Sequence, residues 1–370
     1  MTATGATAKP VSPTRRALGR LRRNRAAFAS AVVLVIFYLG AALAPFFAPY
    51  YYDDAAELSY CPPMRLHFVD ETRRFRLRPF VYRCRYYFNQ NAERVFYEDT
   101  STAYPLKLMV RHGDSRWDYR FLGIFKTDLH LFGVKAPGRI YLLGADWMGR
   151  DLFSRILYGS RISLTVGLVG VAITFVLGML VGGIAGYAGG RTDSLLMRLC
   201  EMLMLAPGFY LMLALRSALP AELPSTQVYL LIVLILSFIG WAGFARVVRG
   251  MVLSIREKEY VLSARAAGAT RWRIITRHIL PNTLSYAIVS VTVSIPGYIL
   301  GETGLSFIGL GIQEPQASWG NLLAEAMNVS EIRFHPWVLW SGVFIFLVIM
   351  AFNFLGDGLR DAFDPKSLER

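Results

Sequence analysis

The sequence predicts an all-α polytopic membrane protein of six transmembrane helices, with a mixed, β-containing insertion after the first helix. Three observations carry this reading. Five long stretches hold no charged residue, the arginines gather at their ends, and one internal block at 50–145 breaks the pattern with Arg, Asp, Tyr and Phe. A bilayer core of ~30 Å takes roughly 20 apolar residues of helix, and soluble folds seldom carry such runs uncharged.

Charge is absent between Arg25 and Asp53, Arg161 and Arg191, Glu222 and Arg246, Arg277 and Glu302, and Arg333 and Asp357. These gaps predict spans at about 27–48, 162–186, 226–246, 282–301 and 337–356. A sixth span is expected near 195–216, although its uncharged stretch, Met202 to Leu215, is short for a crossing. It contains Arg198 and Glu201, three apart on one helical face and placed to pair near a membrane interface.

The first 25 residues carry Lys9, Arg15, Arg16, Arg20, Arg22, Arg23 and Arg25 and no acid, which places the amino terminus in the cytoplasm. Six spans return the carboxyl terminus to the same side. The expected organisation is a basic terminus at 1–26, a first helix at 27–48, an extracytoplasmic insertion at 49–142, a five-helix core at 143–356 and a tail at 357–370. The cytoplasmic loop 247–281 holds Arg249, Arg256, Lys258, Arg265, Arg271, Arg273 and Arg277 against only Glu257 and Glu259. The external loops lean acidic, with Glu222, Glu302, Glu314, Glu325 and Glu331. A net charge of +14 often marks nucleic-acid binding, but arginines at span ends answer to orientation and membrane lipid, so no nucleic-acid partner is expected. No cleavable signal peptide is expected, because the first apolar run, from near Ala26, is too long and lacks a cleavage site.

The insertion reads as folded. Tyr86-Tyr87-Phe88 supplies core material, and the alternation in Arg76-Leu77-Arg78 and Leu106-Lys107-Leu108 predicts strands. Cys61 and Cys84 lie in a compartment that permits disulfides and are predicted to pair, two separate buried thiols being the alternative. With Cys200 they fit no metal spacing. No Gly-x-x-x-x-Gly-Lys-Ser/Thr run occurs, so this chain cradles no nucleotide phosphates. Nothing resembles a nucleophile–base pair, and the reading is a non-enzymatic chain that binds no metal or cofactor. His278 sits in a basic interfacial segment and reads as a packing or surface residue rather than a proton relay.

The most informative stretch runs from Glu259 to Asn282, EYVLSARAAGATRWRIITRHILPN. Ser263, Ala264, Ala266 and Ala267 give a helix a smooth surface. Gly268 suits its end, since glycine tolerates the left-handed turn there. Pro281 then opens the fifth span, where a first-turn proline loses no helical hydrogen bond. A smooth face with a basic rim fits a groove on another protein, and an ordinary positive-inside loop has the same composition.

The stretch resembles the EAA loop of ATP-binding-cassette importer permeases, with Gly268 followed twelve and thirteen residues later by Leu280-Pro281. Leu143-Gly144-Ala145-Asp146-Trp147-Met148-Gly149-Arg150-Asp151, continuing through Ser154-Arg155 to Leu164, is similar to the signature entering the second helix of the peptide branch. Gly186 to Asp193, Leu305-Ser306-Phe307-Ile308-Gly309-Leu310-Gly311, Ser318-Trp319-Gly320-Asn321 and Asn353 to Pro365 extend the likeness. It covers 10–48 loosely and 140–366 closely, and points to the C-type permease of oligopeptide and dipeptide importers.

The resemblance implies the type I importer permease fold in a bacterial inner membrane. It implies a pore-forming subunit for peptides, paired with a homologous permease, two ATPase subunits that use ATP and Mg, and an extracytoplasmic substrate-binding protein. The ATPase-coupling residues would be Tyr260, Leu262, Ser263, Ala264, Arg265, Ala266, Ala267, Gly268, Ala269 and Arg271, on a helix near 260–271. Glu302, just outside the fifth span, is a candidate for the amino end of a peptide, against a solvated carboxylate at a helix end. Nickel chelates and oligosaccharides are the alternative cargoes of related systems. The rival class is a membrane-anchored receptor in which 50–140 does the work, but six spans exceed what an anchor needs.

Two departures stand out. Leu262 occupies the place of the glutamate that opens the family loop, so its contact with the ATPase is missing or supplied by Glu257 or Glu259. The insertion is far larger than the family's short external loop.

Overall fold

The computed structural model describes residues 19–363 apart from 71–72, 91–93, 112–117, 122–123, 206 and 221–222. Lys9, Arg15, Arg16, Glu222 and the tail beyond 363 lie outside the described residues.

Among the described residues, five helices are long and apolar enough to cross a membrane: Arg25–Ala42, Leu152–Ala188, Ser225–Ile255, Arg271–Phe307 and Pro336–Phe363. Helix α1 (Arg25–Ala42) starts on Asn24, whose side-chain oxygen accepts from the Ala27 N–H at 3.2 Å. Helix α2 (Leu152–Ala188) is capped likewise, Asp151 accepting from the Ser154 N–H at 2.8 Å. The expected sixth span is broken: α3 (Gly190–Leu205) and α4 (Gly208–Ser217) meet at 83°. Pro207 stands at the break as the N-cap of α4, with no N–H to continue the helix before it. Read as one span, the pair raises the count to six. The expected Arg198–Glu201 pair is replaced by a contact between Glu201 and Arg246 at 3.8 Å, both about half exposed.

Helix α5 (Ser225–Ile255) runs along α2. Their closeness has a cause in composition. A Cβ on Gly178, Gly182 or Gly186 would come within 2.4 Å of Phe244, 2.4 Å of the Ala245 carbonyl and 2.7 Å of Val252. In lipid, helices associate by close packing, and a small residue every fourth position lets the backbones approach.

Beyond α5 a short helix, α6 (Glu259–Ala266), leads into α7 (Arg271–Phe307). Pro281 does not open the fifth span, because the chain is already helical from Arg271. The ring of Pro281 would collide with the carbonyl four residues back, and the helix widens instead into a π segment at Ile274–Ile279. There Leu280 N–H donates to Ile275 O, and Asn282 Nδ2 donates to His278 O at 2.7 Å. Two short helices, α8 (Trp319–Ala324) and α9 (Val329–Phe334), precede α10 (Trp340–Phe363), which packs on α1 and α7.

The insertion is β-rich, as expected. Strands β1 (His67–Val69), β2 (Phe75–Phe88) and β3 (Arg94–Pro105) form an antiparallel sheet, with Cys84 opposite Glu98 and a bulge between Tyr82 and Arg83. Strand β4 (Lys107–Arg111) pairs with β7 (Leu129–Gly133), and β5 (Tyr119–Phe121) with β6 (Phe125–Thr127). Tyr50, Val81, Val134 and Ile140 make the insertion's core. The Tyr86-Tyr87-Phe88 cluster does not join it: these rings are exposed and cover one another, Tyr86 meeting Phe88 edge-on at 5.7 Å and Tyr87 tilting on Tyr97 at 6.0 Å.

Candidate functional site

Helix α6 touches the bundle mainly through one side chain. Val261 is 2% exposed and packs with Val252, Ile255, Ile274 and Ile279 from α5 and α7. Tyr260, Leu262, Ser263, Arg265, Ala266 and Ala267 are exposed around it, and Ala264 and Ala269 are half-buried. The helix stops as its sequence directs. Gly268 adopts φ +78°, its N–H donates to Arg265 O at 3.1 Å, and the Ala269 N–H reaches back to Ala264 O at 3.1 Å. This is the paired C-terminal closure that favours glycine. The helix expected near 260–271 is therefore shorter: Ala269 lies past the turn and Arg271 begins α7, capped by Thr270.

Clamps join the loop to the turn after α2. Arg256 Nη1 donates to Gly186 O at 3.0 Å and Arg256 Nε to Glu257 Oε1 at 2.9 Å. Arg249 grips Asp193 with two hydrogen bonds, at 2.9 and 2.5 Å. A cleft of about 540 Å³ beside α6 is lined by Tyr187, Arg256, Leu262, Arg265 and Arg271. Of the two acids offered for the missing glutamate, Glu257 is engaged by Arg256, whereas Glu259 is exposed in the first turn of α6 and makes no ion pair among the described residues.

Glu302 is neither a solvated end nor an open binding group. It is 0% exposed within α7, because the helix continues past it to Phe307. Ser163 donates to its Oε2 at 2.9 Å and Ser306 to its Oε1 at 2.7 Å. Each hydroxyl then accepts a backbone N–H, Ser163 from Trp319 at 3.1 Å and Ser306 from Ile312 at 3.1 Å. The carboxylate thus ties α2, α7 and α8 into one knot.

A second knot, buried except for Glu314, sits nearby at the start of α2, where Asp146, Arg150 and Arg155 of the segment entering α2 meet Glu314. Arg150 Nε donates to Asp146 at 2.6 Å and Arg155 Nη1 to the same oxygen at 3.1 Å. Glu314 takes Arg150 Nη1 at 2.5 Å and Arg155 Nη2 at 2.8 Å. Burial pushes the Asp146 and Glu314 carboxyls above the usual range, partly offset by Arg150. Beside them Glu325 is pushed up to about 8 by burial and the neighbouring Asp146, and its Oε2 is buried with no hydrogen bond. Sequence reasoning quoted this segment only for its likeness; the (i, i+4) spacing of Asp146 and Arg150 was the available sign of a pair.

Cys61 and Cys84 are free thiols here, so the expected disulfide is not formed in this structure. They are neighbours nonetheless, sharing a hydrogen bond and one buried cluster with Tyr141 and Ala145. Burial raises the Cys61 thiol above its ordinary value, with the bond to Cys84 the larger cause.

Residues 178–368, more than half of the chain, match the binding-protein-dependent transport system inner membrane component family. The chain belongs to that family. Residues 12–63 match the N-terminal transmembrane domain of oligopeptide transport permease C. This permease is 43% identical over 231 residues to the dipeptide transport system permease protein DppC of Bacillus subtilis, covering 62% of this chain and 70% of the relative. It is 43% identical over 227 residues to the oligopeptide transport system permease protein OppC of Haemophilus influenzae, covering 61% and 70%. The glutathione transport system permease protein GsiD of Pectobacterium atrosepticum is 39% identical over 232 residues, covering 63% and 75%. Residues 64–177, which include the strands of the insertion, lie outside both family matches. The permease is thus a multi-pass inner-membrane protein.

Proposed function

We propose that this permease forms, with a homologous subunit, the translocation path of an ATP-driven importer for peptides, with α6 docked on an ATPase subunit. The observation that carries the docking is the mounting of α6: one buried residue, Val261, fixes it to α5 and α7, and apart from the half-buried Ala264 the rest of its surface is open. A helix held this way moves as a body with whatever grips it, and tilts the spans it packs against. Two ATPases supply ATP and Mg chemistry, and an external binding protein delivers the peptide. The curated relatives' names, dipeptide, oligopeptide and glutathione permeases, support a peptide cargo. The charge asymmetry of the loops supports both termini in the cytoplasm. Glu259 takes the part of the glutamate replaced by Leu262, since it is the uncommitted acid of the loop.

The test is Gly268→Val. A Cβ at Gly268 meets nothing within 4 Å, so the substitution acts through the left-handed backbone alone, at about 1–2 kcal/mol. Membrane insertion should persist while substrate-stimulated ATPase activity of the assembled complex is lost. Unchanged stimulation overturns the docking role.

A further inference from the structure

The insertion carries a cleft of about 620 Å³, within the size range of small-ligand sites. Segment 55–58, strand β2, Tyr97 of β3 and segment 137–141 wall it. Its charges fall into two groups. Arg85 and Arg139 are committed, Arg85 Nε to Asp99 at 2.7 Å, and Arg139 to Asp54 while lying 5.0 Å over the Tyr50 ring. Arg83 and Glu57 are exposed, line the same cleft, and make no hydrogen bond or ion pair among the described residues. Among the described residues lining the cleft, Arg83 and Glu57 are thus the cation and the anion that make no hydrogen bond or ion pair, Arg83 standing opposite Asp99 in the β2–β3 ladder. The same cleft is lined by the half-open rings of Tyr86 and Tyr97, 37% and 46% exposed, and by Met64.

We infer that this cleft binds a short zwitterion, a peptide of a few residues with both ends free. A simple anion would leave Glu57 as an unmatched repulsive neighbour, and a flat protein surface would not enter a concavity of this size. Arg83 takes the carboxylate through its planar fork. Glu57 takes the ammonium, and the tyrosine rings give the side chains apolar faces. The ligand class follows from these two charges and coincides with the cargo proposed above, on which the site's use in transport rests. The binding itself needs neither ATPase nor partner permease. Failure here is therefore separable from failure of the coupling test, which is read on the assembled complex.

The experiment is calorimetric titration of the full chain in lipid nanodiscs with trialanine, its N-acetyl form and its C-terminal amide. Wild type should bind trialanine and lose affinity for either blocked form. Arg83→Gln should weaken trialanine about tenfold or more and bind the amide as well as the free peptide. Glu57→Gln should do the same for the N-acetyl form. Neither residue has a hydrogen bond or ion pair among the described residues to lose, Arg85 remains on Asp99 when Arg83 is changed, and unchanged melting of both variants keeps the comparison valid. The inference is overturned if wild type does not bind trialanine, if both variants keep wild-type affinity, or if blocked and free peptides bind alike. Competition by inorganic phosphate as effective as trialanine would also overturn it, by reducing the cleft to an anion patch.

Discussion

Arg249 and Asp193 fasten α5 to the first turn of α3 through one edge of the guanidinium and both carboxylate oxygens, Nε at 2.9 Å and Nη2 at 2.5 Å. The pair lies one turn from Val252, which packs on Val261, so the clamp and the docking helix share one stretch of α5. Arg249→Lys keeps the charge and loses the fork. The pair is partly exposed, so the cost should be modest, about 1 kcal/mol. Amide exchange should rise in α3 and α6 together while the rest of α5 is unchanged. A rise confined to α3 would show that the clamp does not steady the dock.

The Glu302 knot makes a sharper prediction. Both hydroxyls around the carboxylate donate to it, and both then accept from backbone N–H groups. In Glu302→Gln an amide N–H₂ faces one donor, and that hydroxyl, which still accepts its backbone N–H, must turn its own proton away from the side chain and leave it without an acceptor in a buried site. The cost should be about 1–3 kcal/mol, read as a lower melting temperature. Peptide affinity should not change beyond that loss. A selective loss of affinity for peptides with a free amino end would restore Glu302 as a substrate contact.

The contrast between these sites shows what the sequence could carry. Charge-free runs marked the five long helices, because a bilayer forbids unpaired charge whatever the tertiary packing. Gly268 was legible because its turn is local: left-handed φ needs only a residue without a Cβ. Glu302 was misread because the end of the charge-free run was taken as the end of the helix, whereas two serines and a helix far along the chain compensate the burial of a carboxylate. The break at Pro207 shows the same limit, since composition counts apolar residues but does not give direction. The Asp193–Arg249 and Arg155–Glu314 pairs join residues distant in sequence, and nothing local announces them.

Cys61 and Cys84 lie side by side as thiols and are proposed to pair under oxidising conditions. The bond would close a loop over β1 and most of β2, and should add about 3 kcal/mol to the insertion. A non-reducing digest should give one linked peptide pair, and reductant should lower the melting temperature of wild type but not of Cys84→Ser. Two free thiols after oxidation would sink the proposal.

Glu325 sets a pH dependence whose sign can be worked out. Its carboxyl, ordinarily near 4.5, is pushed up to about 8 in the fold by burial and by Asp146, with Glu314 and Glu331 adding to it and Arg150 opposing. The ionised form is thus penalised in the fold but not in the unfolded chain. Below about pH 4.5 both states are protonated and the group costs nothing. As pH rises toward 8 the unfolded chain ionises freely while the fold resists, so this group makes the fold progressively weaker. Glu325→Gln removes the penalty and gives the buried position an amide that Asp146, Glu314 and Glu331 do not repel. The variant should match wild type near pH 4.5 and exceed it at pH 8 by on the order of 1–2 kcal/mol, short of the full linkage value because part of the side chain keeps solvent contact. Asp146 and Glu314 shift in the same direction and are relieved of Glu325's charge in the variant, so the widening of the gap includes their share of that repulsion. Melting temperatures of the pair across pH 4.5–8 decide it: a gap that does not widen with pH removes Glu325 as its source.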